Sequence, residues 1–172
     1  PIQGRLKFSN VTTDILSLID ESYGENIRGN IFGEVSIGQD LNPDDISLDI
    51  TLKNGEIAHQ QFDDFFISTL YRDGILHLEE LTLTDGEKTG FQVMGTFPVA
   101  SDSSQSTMVD VQSSFKNIDM TFFTQFSPRW APLLFGKFTG NYTMGGTTQK
   151  TKIGLNGTIE NGYYGRIPLG TV

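Results

Sequence analysis

The chain has 172 residues, with 12 lysines and arginines against 21 aspartates and glutamates, no cysteine, two histidines and 19 glycines. The length suits one domain or a large part of a longer protein, and the opening Pro1, without a signal peptide, leads us to expect an excised piece. A net charge of −9 argues against nucleic acid, because phosphate binding needs a basic surface. The absence of cysteine excludes disulfides, thiolate catalysis and cysteine-bound zinc.

The first predicted element in chain order is a short helix over 14–21, with a candidate N-cap at Thr12 or Thr13. After it the dominant period is two, because apolar residues or glycines alternate with polar residues. Such alternation is typical of strands with one apolar and one polar face. The alternating stretches are 31–37, 46–53, 91–97, 138–144 and 153–159.

Two stretches interrupt the alternation. The Ser-rich stretch Ala100–Thr107 predicts a flexible loop, and the aromatic stretch Asp119–Leu134 predicts a short helix or helical turn leading into a loop. Tight reversals are expected at dipeptides that favour positive φ or turns. They are Asn54-Gly55, Asp73-Gly74, Asp85-Gly86, Gly145-Gly146 and Asn161-Gly162. Short turns between strands predict an antiparallel meander.

An internal repeat divides the chain. Phe8-Ser-Asn-Val11 returns as Phe115-Lys-Asn-Ile118, and at this offset of 107 residues several glycines and both Asn-Gly pairs also coincide. We therefore predict a first β repeat unit over 1–107 and a second, truncated unit over 108–172, belonging to a longer array. The units differ in charge: the first carries 6 basic and 18 acidic residues, the second 6 and 3.

The sequence offers little catalytic or metal chemistry. The calcium-like stretch Asp40–Asp44 lacks the glycine and glutamate of a calcium loop, and Gly145–Thr151 lacks the glycine that precedes lysine in a phosphate loop. The neighbouring carboxylates Asp63-Asp64 and Glu79-Glu80 are expected to point to opposite faces of their strands. We therefore expect no enzyme, no catalytic or metal-binding residue and no cofactor.

The apolar face of the strands is the predicted functional surface. Glycines at positions such as Gly33, Gly95, Gly140 and Gly157 favour sharp bending and are expected to leave space there. A sheet curled about an incompletely filled apolar interior forms a trough that needs cover from a neighbouring unit, a partner or a lipid. The predicted lining is Val35, Ile37, Leu48, Ile50, Leu52, Phe91, Val93, Phe138, Tyr142, Leu155 and Ile159.

A family resemblance rests on glycine and apolar spacing along most of the chain. The stretches are Phe8–Val11, the helix at 14–21, Ile27–Gly38, Gly74–Leu83, Phe91–Phe97 and Gly136–Gly140. Together they resemble the repeat of AsmA/TamB-type envelope proteins. The resemblance implies a β-groove in the periplasm of a diderm bacterium, anchored by a membrane segment outside this chain, with phospholipid transport or outer-membrane protein assembly as its role and a barrel protein as a partner.

The predicted fold is all-β, a curled antiparallel sheet (a β-groove or half-pipe) of repeating units with one or two short helices. The predicted function is to shield lipid acyl chains or unfolded β-segments on the apolar face. One alternative is a structural or adhesive cell-surface β-repeat with a filled core. The other is a domain of a carbohydrate-active enzyme, which would need convergent carboxylates beside Trp130, the single tryptophan.

Overall fold

The computed structural model describes residues 3–13, 27–38, 45–57, 60–86, 89–99, 107–122 and 134–169. Most of these residues lie in strands. The strands are β1 (Gly4–Thr12), β2 (Ile27–Ile37), β3 (Ile46–Ile57), β4 (Gln60–Arg72), β5 (Ile75–Asp85), β6 (Thr89–Pro98), β7 (Met108–Asp119), β8 (Leu134–Thr147), β9 (Lys150–Tyr164) and β10 (Ile167–Pro168).

The strands form one antiparallel meander. Each pairs with the strand that follows it in the chain, so that the spatial order in the sheet runs from β1 to β10. Two-residue turns at Asp73-Gly74, Thr148-Gln149 and Gly165-Arg166 join three of the hairpins. The sheet does not close into a barrel, which confirms the predicted class: a curled, all-β antiparallel sheet.

Helix is scarce in the described part of the chain. The predicted helix over 14–21 lies outside the described residues, as do the calcium-like stretch and nearly all of the Ser-rich loop. The second aromatic stretch is helical only at Met120–Phe122, while its two ends, Asp119 and Leu134, lie in strands β7 and β8. The residues between 122 and 134 are not described.

The pairing register separates an apolar face from a polar face, because directly paired residues place their side chains on the same side of a sheet. One row of pairs consists of Leu6, Val35, Leu48, Thr69, Leu78, Gly95, Val111, Met144 and Ile153. The adjacent row consists of Phe8, Gly33, Ile50, Ile67, Leu81, Val93, Ser113, Tyr142 and Leu155. These rows define the apolar face.

A β-bulge in β5 keeps the apolar side chains before and after it on the apolar face. The register shifts between Leu78 and Leu81, so that both leucines face the apolar side although their positions differ in parity. The two residues between them both lie near Ser68 of β4: Glu80 pairs with it, and Glu79 accepts a 3.4 Å hydrogen bond from its hydroxyl. The prediction that these glutamates point to opposite faces is therefore wrong.

The Asn-Gly pairs form bulges inside strands instead of reversals. Asn54 lies within β3 with φ 49°, and Asn161 lies within β9 with φ 50°. Asparagine tolerates this left-handed backbone better than most residues, so both positions suit a bulge as well as a turn. Gly145-Gly146 likewise lies inside β8, and the reversal comes at Thr148-Gln149. Among the predicted reversals, Asp73-Gly74 is a two-residue hairpin turn.

The pairing registers repeat at the offset found in the sequence. Phe8↔Gly33 and Val11↔Ile31 correspond to Phe115↔Gly140 and Ile118↔Phe138. Each pair of registers encloses an asparagine with positive φ, Asn10 at 56° and Asn117 at 55°. Strands β1–β3 and β7–β9 thus share one pairing scheme, while the division into units at residue 107 stays a prediction.

The best-packed part of the apolar face lies at the bulged end of the strands. Leu83 and Ile118 have exposed fractions of 0%, and Ile31, Leu52 and Phe62 are also buried. Ile31, Leu52, Phe62 and Leu83 form one cluster, against which partly buried side chains pack. These are Phe8, Val11, Ile27, Ile50, Ile57, Phe65 and Phe91.

Aromatic rings occupy the room that three glycines provide. A Cβ at Gly33 would lie 2.9 Å from the ring of Phe8. A Cβ at Gly140 would lie 2.8 Å from the ring of Phe138, and one at Gly157 would lie 2.5 Å from the same ring. The expectation that these glycines leave space on the apolar face is wrong, because a neighbouring phenylalanine fills it. At Gly95 the backbone of Asp110 and Val111 approaches too closely for a side chain.

Candidate apolar binding face

All eleven residues of the predicted lining lie on the apolar face. Val35 and Leu48 belong to the first row of pairs, and Ile50, Val93, Tyr142 and Leu155 belong to the second. The others lie in further rows on the same face: Ile37, Leu52, Phe91, Phe138 and Ile159. The structure therefore places all eleven side chains on one face of the sheet, with direct contacts between neighbouring strands. Their role in binding is a separate matter and stays a prediction.

Exposure of the apolar face is higher at the edges of the sheet, where Leu6 on β1 is 65% exposed, than at its centre. Leu52 on β3 and Phe138 on β8 are buried, at 5% and 8% exposed, whereas Leu155 is 68% exposed and Ile153 67%. The remaining predicted lining residues are half-buried. The face thus passes from a packed centre to an accessible apolar margin at the edge of the sheet.

A row of aromatic rings crosses the packed end of the apolar face. Phe91 lies 6.1 Å from Phe115 and 5.5 Å from Phe122 between ring centroids, and Phe115 lies 5.8 Å from Phe138. All three pairs are tilted, an arrangement that aromatic pairs favour. The four rings therefore form one contiguous aromatic cluster.

Sequence reasoning missed several members of this face. Val109, Val111 and Phe115 belong to β7, whose alternation is detectable but is interrupted by Ser113 on the same face. Leu83 and Ile118 were missed although both are fully buried. Each lies beyond a bulge that reverses the parity of its strand, which is why a strict period of two does not reach it.

The polar face carries the charge pairs. Glu34 forms ion pairs with Arg5 at 2.7 Å and Lys7 at 3.0 Å, and Lys53 lies 3.7 Å from Asp64. The hydrogen bond from Lys7 is the largest influence that lowers the pKa of Glu34. Partial burial opposes it, and the positive charges of Arg5 and Lys7 add to the lowering.

Glu34→Gln is expected to make the free energy of unfolding depend less on pH under acidic conditions. A lowered folded-state pKa stabilises the protein above the unfolded pKa, near 4.5, and that contribution disappears as the pH falls through the folded value. Wild type should therefore lose more stability than the variant between pH 6 and pH 3 in urea titrations. Glu160→Gln on β9 controls for removal of a carboxylate. Equal pH profiles for wild type and Glu34→Gln would contradict this assignment.

An ion pair joins the beginning of β3 to the end of β4. The buried carboxylate of Asp45 accepts hydrogen bonds from Arg72 Nε at 2.8 Å and Nη2 at 2.7 Å. This bond, together with the negative charge of Asp45, raises the pKa of Arg72 above its ordinary value. The carbonyl of Asp45 also accepts a hydrogen bond from the amide of Gly38. The pair thus holds the residue before β3 against the end of β4.

The cavities of the described part lie mainly on the polar face or at the strand ends. A depression of about 410 Å³ is lined by residues that include Arg72, His77, Glu79 and Asp110. Across the described ranges no cluster of three histidine, aspartate or glutamate side chains is placed to hold a metal ion. In the same ranges no helix has the length and apolar character needed to cross a membrane.

Comparison with known proteins gives no relative. No protein-family model matches the chain, and neither does any curated protein or solved structure. The resemblance to AsmA/TamB-type proteins therefore stays a prediction, together with the envelope localisation and the partners that it implies.

Proposed function

We propose that the apolar face binds lipid acyl chains and shields them from water. The observation that carries the proposal is the accessible apolar margin at β9, where Ile153 and Leu155 continue a packed apolar face to the edge of an open sheet. A chain laid along this margin covers side chains that are otherwise exposed. Binding would be driven by the removal of the acyl chain from water, because each CH₂ that leaves water stabilises the complex by up to about 0.8 kcal/mol.

The direction of the exposure gradient supports a ligand that enters from the edge. The centre of the face is already packed by Leu83, Ile118 and the phenylalanine row. An acyl chain would therefore contact the half-buried and exposed residues of β8 and β9, among them Tyr142, Leu155 and Ile159. Binding of this kind is reversible, since only part of the chain is covered. Reversibility suits a carrier of lipid between membranes.

The filled-core β-repeat is the second candidate, and the glycine sites favour it. The rings of Phe8 and Phe138 fill the space above Gly33, Gly140 and Gly157, as in an ordinary packed core. A protein of this kind would use its sheet as a scaffold and would hold no lipid. The two candidates therefore differ in whether lipid covers the exposed residues of β9 in solution.

Native mass spectrometry of the chain mixed with palmitic acid separates the two candidates. Acyl-chain binding predicts a population of protein with the added mass of one or more palmitates, which is released by collisional activation. Octanoic acid serves as the matched short-chain ligand and should give much less adduct, because fewer CH₂ groups are covered. Bare protein with both acids would overturn the proposal and favour the filled core.

A further inference from the structure

A groove runs along the polar face of the sheet over strands β5 to β8. Its centre is a depression of about 300 Å³ whose lining includes Gln92, Met94, Gln112 and Ser114. This depression shares Met94 and Gln112 with the one of about 410 Å³ beside it, and Gln92 and Ser114 with a third of about 520 Å³. The three depressions therefore form one continuous feature, the polar groove. It follows β6 for about 20 Å, given the usual rise of a strand over six residues.

Amide and hydroxyl side chains line the centre of the polar groove. Among the described residues there, none is charged. Directly paired residues form two rows across the centre: Gln92, Ser114 and Asn141 in one, and Met94, Gln112 and Thr143 in the other. All six residues are exposed. No hydrogen bond joins these side chains to another described residue, so their donors and acceptors are available to a ligand.

The charged side chains of the polar face lie away from this centre. On β1 and β2, Arg5 forms an ion pair with Glu34. Along the groove, charged residues line the two ends, with Glu79 and Asp110 at one end and Lys116 at the other. An ion bound at the centre would lose hydration without gaining a partner of opposite charge. The centre therefore suits a neutral ligand.

The strands beneath the polar groove offer side chains to a ligand and not backbone. Strand β6 is paired with β5 and β7, and strand β7 with β6 and β8. Ladder hydrogen bonds occupy the backbone donors and acceptors of such central strands, so a peptide has no free edge to extend here. A ligand must match side-chain amides and hydroxyls, which both donate and accept hydrogen bonds. The hydroxyl groups of a sugar have the same dual capacity.

Met94 adds an apolar contact at the centre of the polar groove. Its side chain is 40% exposed, although it lies on the polar face and pairs with Gln112. Methionine is flexible and adapts to irregular ligand surfaces. A sugar ring presents C–H groups on its faces and hydroxyls around its edge. A ring lying over Met94 would therefore direct hydroxyls toward the neighbouring amides, a combination of apolar and polar contacts that is usual in ligand sites.

We propose that the polar groove binds an extended, neutral oligosaccharide. The groove is straight because it follows one strand, and its length accommodates several sugar rings in a row. A straight groove suits the extended chain of cellohexaose better than the curved chain of maltohexaose, which has the same composition. The site lies on the face opposite to the acyl-chain margin, and the proposal does not depend on lipid binding.

Cellohexaose is the probe, and maltohexaose is the matched ligand. Isothermal titration calorimetry should give a Kd for maltohexaose that is at least about threefold higher than that for cellohexaose, the loss expected for one missing hydrogen bond. In NMR spectra of the labelled chain, cellohexaose should shift the side-chain amide signals of Gln92, Gln112 and Asn141. Shifts confined to β1–β3 would place the sugar elsewhere and overturn the proposal.

Asn141→Ala should weaken cellohexaose binding by about fivefold, because the variant removes an amide that forms one or two hydrogen bonds to the ligand. Asn30→Ala is the matched control. Asn30 is also an exposed asparagine on the polar face, but it lies on β2, where it pairs with Lys53. This control should bind cellohexaose as wild type does. Met94→Ala should weaken binding in the same direction as Asn141→Ala.

Three further results would overturn the proposal: no binding of cellohexaose at millimolar concentration, equal affinities for the two sugars, or equal losses in Asn141→Ala and Asn30→Ala. Leu155 lies on the opposite face, so Leu155→Glu should leave cellohexaose binding intact. Absence of sugar binding with retained palmitate binding thus rejects the polar groove alone. Sugar binding without palmitate binding rejects the acyl-chain function alone.

Discussion

Leu83→Ala is expected to lower the free energy of unfolding by about 3 kcal/mol, the usual cost of truncating a fully buried leucine. The side chain of Leu83 has an exposed fraction of 0% and packs with Ile31, Leu52 and Phe62. Alanine would leave a cavity at the centre of this cluster. Because neighbouring strands supply the walls, the sheet has little freedom to collapse into it. Urea unfolding followed by circular dichroism measures the change.

Leu155→Ala is the matched control for this loss. The substitution is chemically identical, but Leu155 is 68% exposed at the sheet edge. Its expected cost is below about 1 kcal/mol, since little apolar surface returns to water. Equal losses for the two variants would mean that the apolar face is packed uniformly, which would contradict the gradient of exposure from β5 to β9.

Leu155→Glu should weaken the binding of a fluorescent fatty acid by at least about 30-fold, equivalent to about 2 kcal/mol, because an acyl chain on this margin would desolvate the new carboxylate. The fold should persist, since the side chain is exposed in the free protein. Titration with cis-parinaric acid gives the Kd, and circular dichroism confirms that the variant is folded. Ile153→Glu, on the same exposed margin of β9, should reduce binding in the same direction.

Asn156→Glu provides the control for charge. Asn156 follows Leu155 on β9, is also exposed, and pairs with Asn141 on the polar face. The same negative charge is therefore introduced one residue away on the opposite side of the sheet. The acyl-chain proposal requires this variant to bind parinaric acid as wild type does. A similar loss in both variants would show that binding follows net charge and not the apolar face.

The sequence predicts the faces of the sheet well because side-chain parity is a local property. Val35, Leu48 and Tyr142 fall on the apolar face through simple alternation, with no knowledge of their distant partners. The repeat was equally visible, since Asn10 and Asn117 recur in matching surroundings and both adopt positive φ.

The positions of the bulges and of the aromatic rings could not be predicted from the local sequence. An Asn-Gly pair satisfies a tight turn and a bulge alike, so Asn54 and Asn161 do not distinguish the two from sequence. The bulge beside Glu79 shifts the alternation of apolar and polar residues along β5 by one position. A strict period of two therefore does not assign Leu83 to the apolar face. Whether Gly157 leaves a gap depends on Phe138. This residue lies on another strand, and the sequence around Gly157 does not determine its rotamer. In each case the outcome depends on a contact between strands.

The dependence of affinity on acyl-chain length tests the central claim most directly. Decanoic, dodecanoic and tetradecanoic acids should displace parinaric acid with progressively lower Kd, by up to about fourfold for each CH₂ that is fully covered. Asn156→Glu should retain this slope, and Leu155→Glu should lose it. Affinities that do not change with chain length would contradict the account, because binding would then depend on the carboxyl group and not on the apolar face.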